Sequence, residues 1–500
     1  MTVSVLAIDA GTTGVTALVV SERGDVLARG YQEFPQHFPA DGWVEHEPGE
    51  IWSATLAAVR AALAATDEVP TAVGITNQRE TAVLWDRETL GSPRRAIVWQ
   101  DRRTAPGCEE LRAAGHEPAV TAATGLRLDP YFTGTKLRWI AEHEPHTWAQ
   151  VTSGRVAVGT VDSYLIARMT RGLSHITDHS NASRTLLYDL ALRNWSPALC
   201  DLFGVPIDAL PEIVASYGRV AMTDPRTFQG LEIPIAGIAG DQQSALFGQG
   251  CFNPGSSKCT YGTGAFVLVN TGDTPAFSDT GLLTTVAWGH PDGRIDYALE
   301  GSVFVAGAAV QWLRDGLGLI SSSQQTEELA SSVPDSGGVV FVPALTGLGA
   351  PAWDPFARGM IIGITRGTTR AHIVRATLEG IAFQVSDVVD LFVDAGHRQI
   401  VELAVDGGAA QNNLLCQIQA DQLQIPVCRT SVLETTGLGA AFLAGLGTGV
   451  WSSTDELAAI RRVDRTFAPS FTSSSGGSRR SWRDAVERSR GWARDEQIEG

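Results

Sequence analysis

The chain has 500 residues, 44% hydrophobic and 19% charged, with a formal net charge of −17, which describes a folded chain too long for one core and expected to divide into two domains. That acidic balance argues against nucleic acid or an anionic membrane as the main partner, since both attract basic surfaces, and leaves a small ligand as the expected one. Six cysteines without a C-x-x-C pair or zinc-finger spacing, no basic and apolar leader after Met1, and no apolar run of membrane-spanning length predict reduced thiols and a cytoplasmic location.

Residues 3–9 and 15–20 read as apolar strands joined by a Gly/Thr turn after Asp9, and "SERGD" then turns the chain into a third strand, "VLARG". "EPGEIWSATLAAVRAALAAT" opens with Pro48 and Glu50 and sets Ile51, Trp52, Leu56, Val59 and Leu63 at helical spacing, which predicts an amphipathic helix. Strand-like stretches at 71–76, 81–86 and 95–99 precede helical ones at 134–143 and 160–169, an alternation that predicts an α/β architecture. In mid-chain, "EIPIAGIAGDQQSALFGQG" runs from strand through a Gly-Asp step into a short helix. "SSKCTYGTGAFVLVNTG" then repeats the opening pattern of strand, Gly/Thr turn and strand. Two similar halves with a site between them follow, at 1–250 and 251–468. The remainder, 469–500, reads as a flexible stretch, "SFTSSSGGSRR", and a charged helix from about Trp482.

Only two of the 38 Lys and Arg residues are lysines, Lys136 and Lys258, and neither lies in a Walker A or kinase V-A-I-K context. If the first hairpin holds phosphate, it does so with backbone N–H groups and hydroxyls, and Asp9 would orient Mg²⁺ through water. A plain hairpin turn uses the same residues, but the echo "TYGTG" at 260–264 favours phosphate. Asp241, ending a strand, reads either as a helix cap or as a general base, and the two are compatible. Taken alone, Arg79 and Glu80 in "GITNQRE" read as a solvated pair, and Trp99 and Tyr131 as core aromatics. "VDGGAAQNN" reads as a strand-to-helix turn or as a place where adenine meets a glycine backbone beside Asn412.

Assembled, these blocks resemble the FGGY family of carbohydrate kinases. "YFTGTKLRWIAEH" and "GMIIGITRGTTRAHIVRATLE" are similar to its two long signatures, and the likeness runs from about residue 5 to 468. It passes through "GWVEHEPGEIW", "GITNQRETAVLWD", "TDHSNASRT", "GIAGDQQSALFGQ", "LEGSVFVAGAAVQWLRD" and "PALTGLGAPAWDPFARG". The resemblance implies two actin-like (ribonuclease-H-like) domains around a cleft, with ATP and Mg²⁺ as cofactors, glycerol as the phosphoryl acceptor and a homo-oligomer, dimer or tetramer. On this likeness Arg79, Glu80, Tyr131, Asp241 and Gln242 bind the glycerol hydroxyls, with Asp241 as base, while Trp99 and Phe266 flank the carbons. Thr12, Thr13, Gly14, Thr263, Gly307, Gln311, Gly408 and Asn412 would contact ATP, with Asp9 near the metal. Alternatives are an FGGY kinase for another polyol or ketose, and a non-catalytic actin-like nucleotide-binding module. In the first loop Ala10, Gly14 and Thr16 replace the Gln, Ser and Arg of the pattern D-Q-G-T-T-S-S-R, which removes a cation near the nucleotide. Glu232 stands where members inhibited by fructose-1,6-bisphosphate carry arginine, so that inhibition is expected to be absent, as is control by histidine phosphorylation.

Overall fold

The computed structural model describes residues 3–394, 400–470 and 475–494. The turn after Asp9 closes a hairpin: β1 (Ser4–Ala10) returns antiparallel as β2 (Gly14–Ser21), and β3 (Val26–Glu33) extends it. With β4 (Val73–Asn77), β5 (Tyr217–Met222) and β6 (Pro234–Gly240) these form one sheet, ordered β5-β6-β4-β1-β2-β3, in which β1, β4 and β6 run parallel. Nearly every residue of β1, β4 and β6 is buried, as central parallel strands covered on both faces require.

The echo in the sequence is an echo in the fold. β7 (Ser257–Tyr261) and β8 (Ala265–Gly272) form the second hairpin, joined by β9 (Leu283–Gly289), β10 (Ile295–Val303), β11 (Leu403–Asp406), β12 (Val427–Thr430) and β13 (Val463–Phe467). Their order is β9-β10-β8-β7-β11-β12-β13. As in the first sheet, an antiparallel strand flanks the hairpin on one side and two parallel strands flank it on the other. The strands of the first sheet all precede residue 241, and those of the second all follow it.

Helices cover both sheets. They include α1 (Pro48–Ala64), where Ile51, Trp52 and Val59 of the predicted stripe are buried, Leu56 and Leu63 are only half-buried, and Thr55, Ala58 and Ala62 complete the buried face, and α2 (Thr133–His143). α3 (Asp241–Gly248) follows β6, α4 (Gly307–Asp315) follows β10, and α5 (Arg370–Asp394) and α6 (Asn413–Leu423) pack side by side. α7 (Thr435–Thr448) follows β12, so α3 and α7 hold equivalent places in the two halves. They cross between the sheets, where a β-carbon on Gly439 would lie 1.8 Å from the Ser244 carbonyl oxygen. α7 packs on β1, β4 and β6 of the first sheet, while α3 touches β7 of the second, so Asp241 stands at the seam of the two halves.

Two expectations change. The strand read at 95–99 is only Ala96–Ile97. The terminal helix, α8 (Ser475–Ser489), begins within the stretch read as flexible rather than near Trp482. Arg479 pairs with Asp387 and Asp390, and the Trp482 indole donates to Asp387 at 2.6 Å while stacking on Phe383, which anchors the helix to α5. Residues 471–474 lie outside the described residues. All six cysteines are free thiols and buried. Among the described residues no helix is long and apolar enough to cross a membrane.

Candidate active site

Ala10, Asn77 and Gly240 are neighbours in register at the carboxyl ends of β1, β4 and β6. The segments that follow them therefore emerge together, and these are the first Gly/Thr turn, Gln78-Arg79-Glu80 and Asp241-Gln242. The crevice beyond the carboxyl ends of parallel strands is where open α/β sheets bind ligands.

In both Gly/Thr turns the carbonyl groups are tied away. Gly11 O accepts from Gln78 Nε2 at 3.1 Å, Thr12 O from Gln36 Nε2 at 2.9 Å, and Thr13 O from the Phe34 N–H at 3.3 Å. Gln36 and Gln78 are in turn bridged by the His46 ring. In the second turn Gly262 O accepts from Gly307 N–H at 3.0 Å and Thr263 O from Ala306 and Ala308 N–H at 2.8 and 3.1 Å. The N–H groups of Thr12, Thr13, Gly262 and Thr263 have no acceptor among the described residues. A turn whose carbonyls are occupied and whose amides are free attracts anions.

Other members of the predicted nucleotide set are placed differently. Gly14 is buried at the start of β2, where a β-carbon would meet the Tyr31 hydroxyl and the Gln32 carbonyl at 2.8 Å. Gly307 lies against the second turn, Gly408 is open, and Gln311 is exposed on α4. Asn412 caps α6, accepting from Leu415 N–H at 2.9 Å and donating to Thr326 at 3.0 Å, so its side chain takes the helix-start role.

Arg79 and Glu80, which in sequence look like a surface pair, are 2% and 1% exposed. Arg79 makes a two-pronged pair with Glu300 of β10 (2.5 and 3.1 Å), reaches Asp241 at 3.1 Å through Nε and donates to the Tyr131 hydroxyl at 3.4 Å. Arg184 bridges the two glutamates, 2.7 Å from Glu80 and 3.0 Å from Glu300, and lies over the rings of Tyr131 and Phe132. Glu80 takes a left-handed φ of 62°, a strain of about 1–2 kcal/mol that persists only where the surroundings over-determine it. Burial raises the Glu80 carboxyl above its usual range. At Glu300 burial is outweighed by Arg184 and Arg79, which bring it down to about 2. Trp99 packs edge-on against Tyr131 and donates to the Thr12 hydroxyl at 3.0 Å, joining Tyr131 to the first turn.

The second sheet completes the site from the other side. Lys258, Leu268 and Glu300 are cross-strand neighbours on β7, β8 and β10, and Thr260, Phe266 and Ser302 form the next rung on the same face. Arg184, Glu300 and Lys258 were not among the predicted site residues. The first two stand inside "TDHSNASRT" and "LEGSVFVAGAAVQWLRD", and the third is one of only two lysines.

Asp9 has no ion-pair partner among the described residues. Burial, and then the negative charge of Asp241, lift its carboxyl to about 7. Between 3.8 and about 7 the native chain therefore binds more protons here than the unfolded chain, and it loses stability as pH rises through that window. Asp9→Asn lacks this loss, so in urea melts at pH 8 without ligands the variant is expected to be more stable by about 2–4 kcal/mol, with no difference at pH 4. Equal stability at pH 8 would mean that burial and Asp241 do not raise the Asp9 carboxyl in the native chain.

Residues 4–248 match the N-terminal domain of the FGGY family of carbohydrate kinases, and residues 257–448 match its C-terminal domain. A glycerol kinase from Dechloromonas aromatica is 53% identical over 98% of each chain, and glycerol kinase 2 from Thermotoga maritima is 50% identical over 98% of this chain and 99% of that one. Among solved structures, Plasmodium falciparum glycerol kinase with ADP superposes with a TM-score of 0.91 at 34% identity, covering 98% of both chains. A xylulose kinase from Lactobacillus acidophilus, 19% identical with a TM-score of 0.85, shares the fold. With both domains matched and relatives this similar along its length, the chain belongs to the FGGY family of carbohydrate kinases.

Proposed function

We propose that this protein transfers the terminal phosphoryl group of ATP to a terminal hydroxyl of glycerol, giving sn-glycerol 3-phosphate and ADP. The observation that carries the reading is the buried Arg79–Glu80–Arg184–Glu300 group set against Asp241, Gln242 and Tyr131, in a chain whose relatives along almost the whole length are glycerol kinases. A triol needs donors and acceptors at every hydroxyl. Arg79 and Gln242 donate, Glu80 and Asp241 accept, and Trp99 and Phe266 are apolar walls for the carbons. A site built this way rejects analogues that leave its buried polar groups unpaired.

Asp241 takes the proton of the attacking hydroxyl as its oxygen bonds to the γ-phosphorus and the bond to the bridging oxygen of ADP breaks. The free N–H groups of the two turns receive phosphate oxygens from opposite sides, which closes the halves over the reacting atoms and excludes water. The donor set suits Mg²⁺. Among the described residues no group of three or more His, Cys, Asp or Glu side chains forms a metal cage, and a lone carboxylate with an uncompensated charge fits a hydrated ion that takes its other ligands from phosphate and water. Asp9 would hold the ion, which supplies positive charge to the phosphate oxygens. The six buried free thiols support action in the cytoplasm.

The test is ADP release with Mg-ATP on glycerol, dihydroxyacetone, xylitol, xylulose and gluconate, beside a control without acceptor. The expected kcat/KM for glycerol is at least about 100-fold above the others, the discrimination open to a site that pairs each hydroxyl. Faster turnover of xylulose would make the protein a ketose kinase. Slow ATP hydrolysis indifferent to every acceptor would make it a nucleotide-binding module, with Ala10, Gly14 and Thr16 as the reason.

A further inference from the structure

A chain that uses arginine at nearly every basic position keeps lysine at two, and both are fully buried. Lys136 donates to the carbonyls of Pro130 and Tyr131 at 2.8 and 2.6 Å, and Lys258 to Gln242 Oε1 at 2.5 Å and Thr260 Oγ1 at 2.9 Å. Each therefore stands one hydrogen bond behind a residue of the polyol pocket. An ammonium is a compact charge with three rotatable donors, unlike the broad planar guanidinium.

Burial lowers the Lys258 pKa, and the nearby carboxylates of Asp406, Asp241 and Glu300 oppose that shift. In its charged form the nitrogen has no acceptor, so it fixes which end of the Gln242 amide it faces. Oε1 turns toward Lys258 and Nε2 is left as the end that can meet substrate. Without the lysine the amide is free to present either end. Withdrawal of electron density through Oε1 also makes the Nε2 donors stronger. On its other side Lys258 holds Thr260, which lies two residues before Gly262 of the second phosphate turn.

We propose that Lys258 is a positioning residue that makes Gln242 a donor-only contact to a glycerol oxygen and ties that contact to the strand leading into the second phosphate turn. The inference rests on the reading of the site as a glycerol kinase.

Kinetics of Lys258→Met, Gln242→Ala, the double variant and Thr260→Val, each against glycerol and ATP, test it. Lys258→Met is expected to raise KM for glycerol at least about 10-fold, the scale of a charged hydrogen bond, while KM for ATP stays within about two-fold. In the Gln242→Ala background the same substitution is expected to add less than about three-fold, because its effect runs through the missing amide. Additive losses, or an equal rise in both KM values, would overturn the assignment. Should Lys258→Met fail to fold, Thr260→Val decides. It loosens the ammonium from its second anchor, so a KM for glycerol raised about three-fold supports the role, and an unchanged KM overturns it. Absence of wild-type turnover on glycerol overturns the kinase reading and this inference together, whereas wild-type turnover with additive losses overturns only the role of Lys258.

Discussion

Asp241→Asn is expected to lower kcat by about 10³-fold, within the range of a general base, while glycerol still raises the melting temperature of the variant. The carboxylate is the first residue of α3, 29% exposed, with Oδ1 already engaged by Arg79 Nε at 3.1 Å and by the Gln242 N–H at 2.7 Å. An asparagine can keep its carbonyl oxygen in that place, so the amide replaces only the Oδ2 side, where the substrate proton would go. Size, helix start and Arg79 contact persist, and the loss falls on proton transfer. Stabilisation by glycerol reports binding to the native state independently of turnover. A kcat within about ten-fold of wild type would remove Asp241 as base, and lost stabilisation by glycerol would reassign it to binding.

How much of this was legible in the sequence depends on the range of the interaction. The opening hairpin, the helix from Pro48 and the strand-to-helix step at Asp241 are written in local pattern, and the structure keeps them within a residue or two. The duplication was legible because a Gly/Thr turn between apolar strands occurs twice. What local pattern misjudges is charge whose partner is distant. Arg79 and Glu80 read as a surface pair because their neighbours in sequence say nothing of Glu300, 221 residues away, or of Arg184. Resemblance placed both in the site without supplying the partners. The start of α8 was missed for a similar reason: Ser and Gly there suggest a linker, and the anchors at Asp387 and Asp390 lie about ninety residues upstream. Asn412 shows the reverse case, where the plain helix-cap reading, weighed as the simpler one, is what its side chain does.

The same distant partner sets the second large effect. Glu300 is fully buried and is the counter-charge shared by Arg79 and Arg184, while Arg184 Nη1 already has no partner among the described residues. Glu300→Ala leaves two guanidinium groups in the core with too little negative charge. It is expected to cost about 3–5 kcal/mol, the usual penalty for breaking a buried ion pair from one side, and to abolish stabilisation by glycerol because Arg79 is no longer held toward Asp241. Glu300→Gln keeps the shape and separates charge from packing. Arg184 and Arg79 hold the native Glu300 carboxyl near 2, below its ordinary 4.5. The charged form therefore stabilises the fold fully above 4.5, and that contribution disappears as pH falls from 4.5 toward 2. Glu300→Gln should thus be destabilised most at pH 7, with the gap to wild type narrowing in urea melts at pH 3.5 and closing further at lower pH. A gap that stays constant with pH would mean that Glu300 acts through packing alone. In that case the strained turn at Glu80 and the placement of Arg79 would have to rest on Arg184, which a parallel loss of glycerol binding in Arg184→Met would reveal.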